Sequence, residues 1–419
     1  MKLNKKCLKV AVTSPFVITA LLLSTSACSG PSAVNGDKSS TTYKDTKDQN
    51  TAVKKNADKP EFTTNTVTTF SEPWAMTALP SVASIDNQST KLLVTQKAGE
   101  LFVVDTETGA KTKVAGVPTV AYGGQGGLGD IMVAPDFATS YLVYLSYVEA
   151  GTGSDSDTFG AKVIRAKLSG LGTATPKLEA ITPIWQQVPK VTGQGHYSHR
   201  LLFSPDGQYL YISSGERQDK DPAQDMSVNL GKIIRVTPDG KTPADNPFAD
   251  TGNEIAKQFW TIGHRNVLGM TFDDSGKLWA HEMGPRGGDE FNLIEKGNNY
   301  GWPLVSNGRN YSGTDIPDHD TRPEFTAPKI TWTPVISPSS ISIYSAGRHD
   351  DFPSWQGSAL IGGLSSKALI VVSLNKDDSA TERYRYDMGE RIRSVLAVDG
   401  QVWVLEDGEN GKLLKLAAK

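Results

Sequence analysis

The chain has 419 residues, 38% hydrophobic and 21% charged, with a formal net charge of −3 and a pI near 6.1. That length exceeds what one buried core needs, and the composition is too apolar for disorder throughout. The acidic balance argues against a nucleic-acid binder, which needs a clustered basic face.

The first 28 residues carry Lys2, Lys5, Lys6 and Lys9 and no acid, then an apolar run from Val10 to Leu23, then the small residues Ser24 to Ala27. This is the three-part layout of a secretory signal peptide, and its apolar run is shorter than the roughly 20 residues of a membrane-spanning helix. Cys28 behind Ser26-Ala27 resembles a bacterial lipoprotein cleavage site, with Thr25 where that pattern usually has Leu. The resemblance implies lipid on Cys28, membrane contact through that lipid alone, and, with Ser29 in place of Asp, an outer-membrane lipoprotein facing the periplasm. A plain signal peptide cut nearby, with Cys28 incidental and the protein periplasmic or secreted, is the alternative. Cys7 and Cys28 are the only cysteines, so the folded body has no disulfide, thiol nucleophile or cysteine metal site. Residues 29–60 contain no Leu, Ile, Phe or Trp and read as a disordered polar tether.

Residues 61–419 form the folded domain, in which short strands follow one another. Leu92–Val94, Leu101–Val104, Tyr141–Tyr147, Tyr209–Ser213, Leu278–His281, Ala368–Leu374 and Val402–Leu405 are β-branched or aromatic and bounded by turn residues. No apolar stripe at helical spacing lasts a dozen residues. A turn glycine precedes an aromatic strand at Gly99, Gly207, Gly276 and Gly400, at intervals that fit multiples of about 60 residues. Four-stranded units at that period predict an all-β fold, a six-bladed β-propeller whose loops converge on a central channel. Chance recurrence of a common hairpin phrase is the competing explanation.

The chemistry-bearing runs come in a fixed order. They are Gly195-His196-Tyr197-Ser198-His199-Arg200, Ser214-Gly215-Glu216-Arg217, Gly263-His264-Arg265-Asn266, Glu282-Met283-Gly284-Pro285-Arg286-Gly287-Gly288-Asp289-Glu290, and Asn299-Tyr300-Gly301-Trp302. Together they resemble the soluble pyrroloquinoline quinone (PQQ)-dependent glucose dehydrogenases and aldose sugar dehydrogenases, a six-bladed propeller family. The likeness covers about residues 70 to 415. It implies oxidation of aldose sugars to lactones, with electrons passed to an external acceptor. The cofactors it implies are PQQ and Ca²⁺. A nucleic-acid partner is not expected, and monomer and homodimer both stay open.

The same resemblance assigns roles. His196 is the base that takes the sugar hydroxyl proton as hydride leaves, a task that suits a neutral imidazole. Arg265 stabilises charge on the quinone oxygen. Glu216 orients the histidine, although the family usually has Asp there. Gln125, Asn266, Lys367, Arg391 and Arg393 match cofactor contacts. Arg391 and Arg393 stand two apart, so on a strand they face the same way, and an exposed basic edge is the plain reading of such a pair. The carbonyls of Gly284 and Pro285 match ligands of the catalytic Ca²⁺. Glu290 and Tyr300 match a second, structural Ca²⁺ site, against which Asp289-Glu290 also reads as a solvated acidic turn. His199 falls where the motif has a small residue and is left out of catalysis. A calcium-dependent propeller hydrolase and a non-catalytic binding propeller are the rival functions.

Overall fold

The short β-branched runs and glycine turns become antiparallel sheets in the computed structural model, which describes residues 58–81 and 90–419. The expected signal peptide, Cys28 and the tether up to residue 57 lie outside those residues. Asp58, Lys59 and Pro60, read from sequence as the end of the tether, are instead docked. Tyr386 donates to the Pro60 carbonyl at 2.9 Å, Lys59 Nζ donates to the Arg385 carbonyl at 2.7 Å, and Arg383 pairs with Asp58 at 3.1 Å. Aromatic and basic residues far along the chain supply partners that the local composition does not announce.

The described strands form six four-stranded sheets. Five are consecutive: residues 73–113, 128–186, 198–262, 267–332 and 338–387, here blades one to five. Blade six takes three strands from residues 392–418 and its outermost from the other end of the chain. Phe62–Phe70 pairs antiparallel with Gly411–Ala418, so the ring closes by main-chain hydrogen bonds and leaves no open edge between its first and last blades. The protein is an all-β, six-bladed propeller. Aromatic pairs fill the blades, for example Trp279 stacked on Phe291 at 5.1 Å and Phe352 on Trp355 at 4.1 Å.

All seven strand runs expected from sequence are strands, Ala368–Leu374 with the same bounds. Two tyrosines differ: Tyr209 precedes its strand, which begins at Leu210, and Tyr141 caps the single-turn helix Phe137–Ser140 in left-handed backbone (φ 57°), with the strand beginning at Leu142. The repeat is partly corrected. Gly207, Gly276 and Gly400 turn between the first and second strands of blades three, four and six, but Gly99 turns between the second and third strands of blade one. Hairpins in an antiparallel meander alternate between two ends, so Gly99 lies on the opposite face of the ring. The phrase marks a hairpin, and nothing in it says which one.

The inner strands are Pro73–Leu79, Leu128–Val133, Ser198–Phe203, Val267–Phe272, Pro338–Ile343 and Ile392–Val398. Each breaks register with its neighbour within its first residues, between Pro73 and Met76, Leu128 and Ile131, Ser198 and Leu201, Val267 and Gly269, Pro338 and Ile341, and Ile392 and Ser394. A bulge re-aims a side chain, and here it does so six times around one channel mouth. Hydroxyls tie neighbouring blades together: Thr95 donates to the Gly129 carbonyl at 2.7 Å, Ser213 to Val267 at 3.0 Å and Ser339 to Ile392 at 2.7 Å. Arg200 crosses the channel below the mouth. Its guanidinium lies 3.8 Å over the Trp74 ring, donates to the Leu268 carbonyl at 2.8 Å and the Ser339 carbonyl at 2.5 Å, and faces Asp130 at 3.4 Å. Five blades thus meet on one buried side chain.

Candidate active site

The register breaks open into a cavity of about 390 Å³ at the channel mouth. Trp74, His199, Leu268 and Arg393, all within those breaks, line it together with Gln125, Asn266, Met283, Leu364 and Arg391. Other wall residues come from the opposite-end hairpins, including Lys97 beside Gly99 and Asp407, and from the segments that lead into the inner strands, including Glu72, Tyr197 and Ser337. The wall therefore offers a flat indole, aliphatic surface and three cations, Lys97, Arg391 and Arg393, against two carboxylates, Glu72 and Asp407.

His196 opens blade three in left-handed backbone (φ 46°), a strained conformation for a residue with a side chain. Its N–H donates to Gln125 Oε1 at 2.8 Å and its carbonyl accepts from the Arg217 N–H at 3.3 Å. Arg217 lies 3.7 Å over Tyr197 and donates to the carbonyls of Gly193, Gly195 and Phe159, which fixes the loop. Glycine is required at position 215, where a Cβ would come 1.9 Å from the His196 carbonyl oxygen. That close approach brings Glu216 to the imidazole: Nδ1 of His196 bonds Glu216 Oε1, while Oε2 accepts the Lys220 N–H at 2.6 Å. Burial pulls the His196 pKa below 6.5 despite the carboxylate, helped by the charges of Arg265 and Arg217. Burial opposes charge on Glu216, but the His196 contact and the Lys220 N–H outweigh it and hold the carboxyl below 4.5. At neutral pH the pair is a carboxylate accepting from Nδ1–H of a neutral imidazole, with Nε2 as a free base.

Arg265 connects this dyad to blade four. Its carbonyl accepts the Glu216 N–H at 3.0 Å, and its Nη1 donates to the carbonyls of Met283 and Gly284, each at 2.9 Å. His196, Glu216 and Arg265 do not line the cavity themselves. Their neighbours Tyr197, Ser198, Asn266 and Met283 do, and Ser198 Oγ donates to Asn266 Oδ1 at 3.0 Å.

Across the cavity, Arg391 and Arg393 face the same way, as their spacing requires. Each donates through Nε at 2.9 Å to one oxygen of Asp407, leaving their terminal Nη groups without a protein partner among the described residues. Arg393 is 14% exposed and lines a cavity, which the reading as a basic edge does not allow, whereas Arg391 is 48% exposed. Lys367 stands outside the lining, 51% exposed, donating to the Gly389 carbonyl at 2.9 Å with Glu390 at 3.7 Å. Its place is the rim.

A profile of the glucose/sorbosone dehydrogenases matches residues 70–415. The chain belongs to that family. It is 38% identical over 357 residues to the aldose sugar dehydrogenase YliI of Escherichia coli, covering 83% of this chain and 90% of the relative. The fold is similar to the apo soluble aldose sugar dehydrogenase of Escherichia coli (TM-score 0.76, 36% identity, 86% of this chain and all of that one). It is also similar to a PQQ-bound aldose sugar dehydrogenase of Streptomyces coelicolor (TM-score 0.67, 28% identity, 86% of this chain and 99% of that one).

In this family member the loop after Glu282 is made of backbone. A Cβ on Gly284 would lie 2.3 Å from the Gly288 carbonyl oxygen and 2.5 Å from that of Gly287, so the chain folds its carbonyls into a small space. Asp289 ties the loop, accepting N–H groups from Gly284 at 2.8 Å, Ile336 at 2.8 Å and Ser337 at 2.7 Å, and burial raises its pKa to about 6. The Gly284 carbonyl keeps one lone pair beyond Arg265, and no described residue donates to the Pro285 carbonyl. Such an oxygen-only donor set fits a hard cation.

Glu290 and Tyr300 lie in a separate buried cluster. Glu290 sits across the sheet from Glu282, and Glu282 binds His264 Nδ1 at 2.9 Å. His264 in turn stacks on the Tyr300 ring. Burial and the Glu282 charge push the Glu290 pKa well up. Asp289-Glu290 is therefore no solvated turn. The Tyr300 carbonyl already accepts from His319 Nε2 at 3.2 Å and retains one lone pair.

Sequence reasoning missed Lys97, Trp74, Arg217 and Asp407. Lys97 sits beside Gly99, on a hairpin whose end of the blade the glycine spacing does not specify. Asp407 carries no signal of its own, because a turn carboxylate becomes an arginine clamp only when two strands pair.

Proposed function

We propose that this chain oxidises aldose sugars to lactones with PQQ held in the channel-mouth cavity, and Ca²⁺ on the Gly284 and Pro285 carbonyls. The observation that carries the reading is a neutral, carboxylate-oriented imidazole beside a cavity whose far wall presents two arginines, clamped through Nε by Asp407, whose Nη groups have no partner among the described residues. Pyrroloquinoline quinone, when bound, supplies the acceptor for the hydride that leaves the anomeric carbon, and Ca²⁺ supplies Lewis acidity. Arg391 and Arg393 would hold its carboxylates, with Gln125 and Asn266 nearby as polar contacts. Gln125 also fixes the backbone of His196, whose N–H its side-chain oxygen accepts.

The chain's own part in the chemistry follows from the dyad. Nε2 of His196 takes the anomeric hydroxyl proton, and the ionised Glu216 holds Nδ1–H and stabilises the imidazolium that results. The second fork end of Arg265 makes no hydrogen bond among the described residues and is the donor available to a developing oxyanion. Among the described residues no group of three or more His, Cys, Asp or Glu side chains is gathered to hold a metal, which a hydrolase centre built on carboxylates would need.

Titrating the purified apoprotein with PQQ and Ca²⁺ while following dye reduction by aldoses tests the reading. Reduction that requires PQQ and saturates with it is expected. Failure of every common aldose to reduce the dye with PQQ bound would overturn it. We further propose that Cys28 carries lipid that tethers the enzyme to the cell envelope. Radiolabelled palmitate should enter the wild type and not Cys28→Ser.

A further inference from the structure

His199 is the buried group at the cavity that the mechanism leaves without a task. It is 2% exposed, lies in the register break of blade three and lines the cavity floor. Its ring stacks on Trp74, with centroids 4.9 Å apart and planes at 18°. Gly129 leaves the space for it, since a Cβ there would lie 1.9 Å from His199 Cε1.

One ring nitrogen is taken. Buried Ser146 Oγ accepts the Asp130 N–H at 2.8 Å, and the acceptor for its own proton among the described residues is His199 Nδ1, 2.8 Å away. Nδ1 is then the acceptor, so the proton of the neutral ring sits on Nε2. Burial, followed by the charges of Arg200 and Arg217, pulls the pKa to about 3, which keeps the ring neutral through the working range. No described residue accepts from Nε2–H. Nε2 is not sealed in protein but open to the cavity, so its acceptor comes from what the cavity holds.

Resting on the quinone reading above, we propose that His199 is a cofactor-binding residue: its Nε2–H, fixed at the floor, donates a hydrogen bond to an oxygen of bound PQQ. A neutral donor suits this position because Arg200 already places a buried cation beneath it, and a second would be desolvated without a counter-charge.

Equilibrium titration of the apoprotein with PQQ in the presence of Ca²⁺, read by quenching of protein fluorescence, tests this without turnover. His199→Phe keeps the stack on Trp74 and removes the donor, and should weaken binding about tenfold or more. His199→Gln places an amide N–H at a similar reach and should stay within about threefold of wild type. In protein labelled with ¹⁵N-histidine, the Nε2–H resonance missing from His199→Gln should move downfield when PQQ is added. Wild-type affinity in a folded His199→Phe, or a resonance that does not move, overturns the proposal. If circular dichroism shows His199→Phe unfolded, the resonance decides alone. A wild-type chain that does not bind PQQ overturns the quinone reading itself, so the two failures are distinguishable.

Discussion

On the side of blades three and four, His196, Glu216 and Arg265 are buried; main-chain groups hold the Glu216 and Arg265 side chains, and Glu216 in turn holds the His196 imidazole. On the side of blades five and six, Lys367 and Arg391 are about half exposed, and the two arginines are held by one carboxylate. Proton transfer needs a fixed direction, and backbone partners cannot rotate away. Gripping an anion needs charge that can still reach its ligand, so side-chain clamps with free ends suffice. The two walls should therefore fail differently when mutated: the first in turnover, the second in cofactor affinity.

The sharpest break is His196→Ala, which should cut kcat by about 10²- to 10⁴-fold while PQQ affinity stays near wild type. An equal loss of affinity, measured by titration, would place His196 on the binding wall. Next in size, Arg391→Ala with Arg393→Ala should raise the PQQ concentration for half reconstitution by more than about tenfold, each charge-assisted bond being worth on the order of 1.5–3 kcal/mol. Of the single variants, Arg393→Ala should show the larger effect because it is the less exposed.

A pH profile sharpens the first wall. With His196 as the proposed base and its pKa lowered by burial, kcat/KM should hold as pH falls through 6.5 and drop only below it. Glu216→Gln removes a contact that raises that pKa, so the acid limb should move to still lower pH while kcat falls by about tenfold or more. A limb at or above 6.5 in the wild type would contradict the buried, neutral base. The smallest effect belongs to Lys367→Ala: a half-exposed lysine near Glu390 contributes about 1 kcal/mol or less, so PQQ affinity should change by less than about fivefold. A larger loss would show that the rim lysine swings into the cavity.

Residue types and order were enough to find the strands, the propeller and the ordered motif that holds His196, Arg265 and Gly284, because alternation, turn glycines and local motifs are properties of neighbouring residues. The spacing of Arg391 and Arg393 likewise determined that they face one way. Closure of the ring through Phe62–Phe70 required the tertiary structure, as did the docking of Asp58–Pro60, the rim position of Lys367 and the pairing of both arginines with Asp407. So did the placement of Lys97 and His199 at the cavity, one on a hairpin whose end of the blade no phrase specifies, the other in a register break. Each depends on which strand pairs with which, and at what register, and that is set by burial between segments tens to hundreds of residues apart.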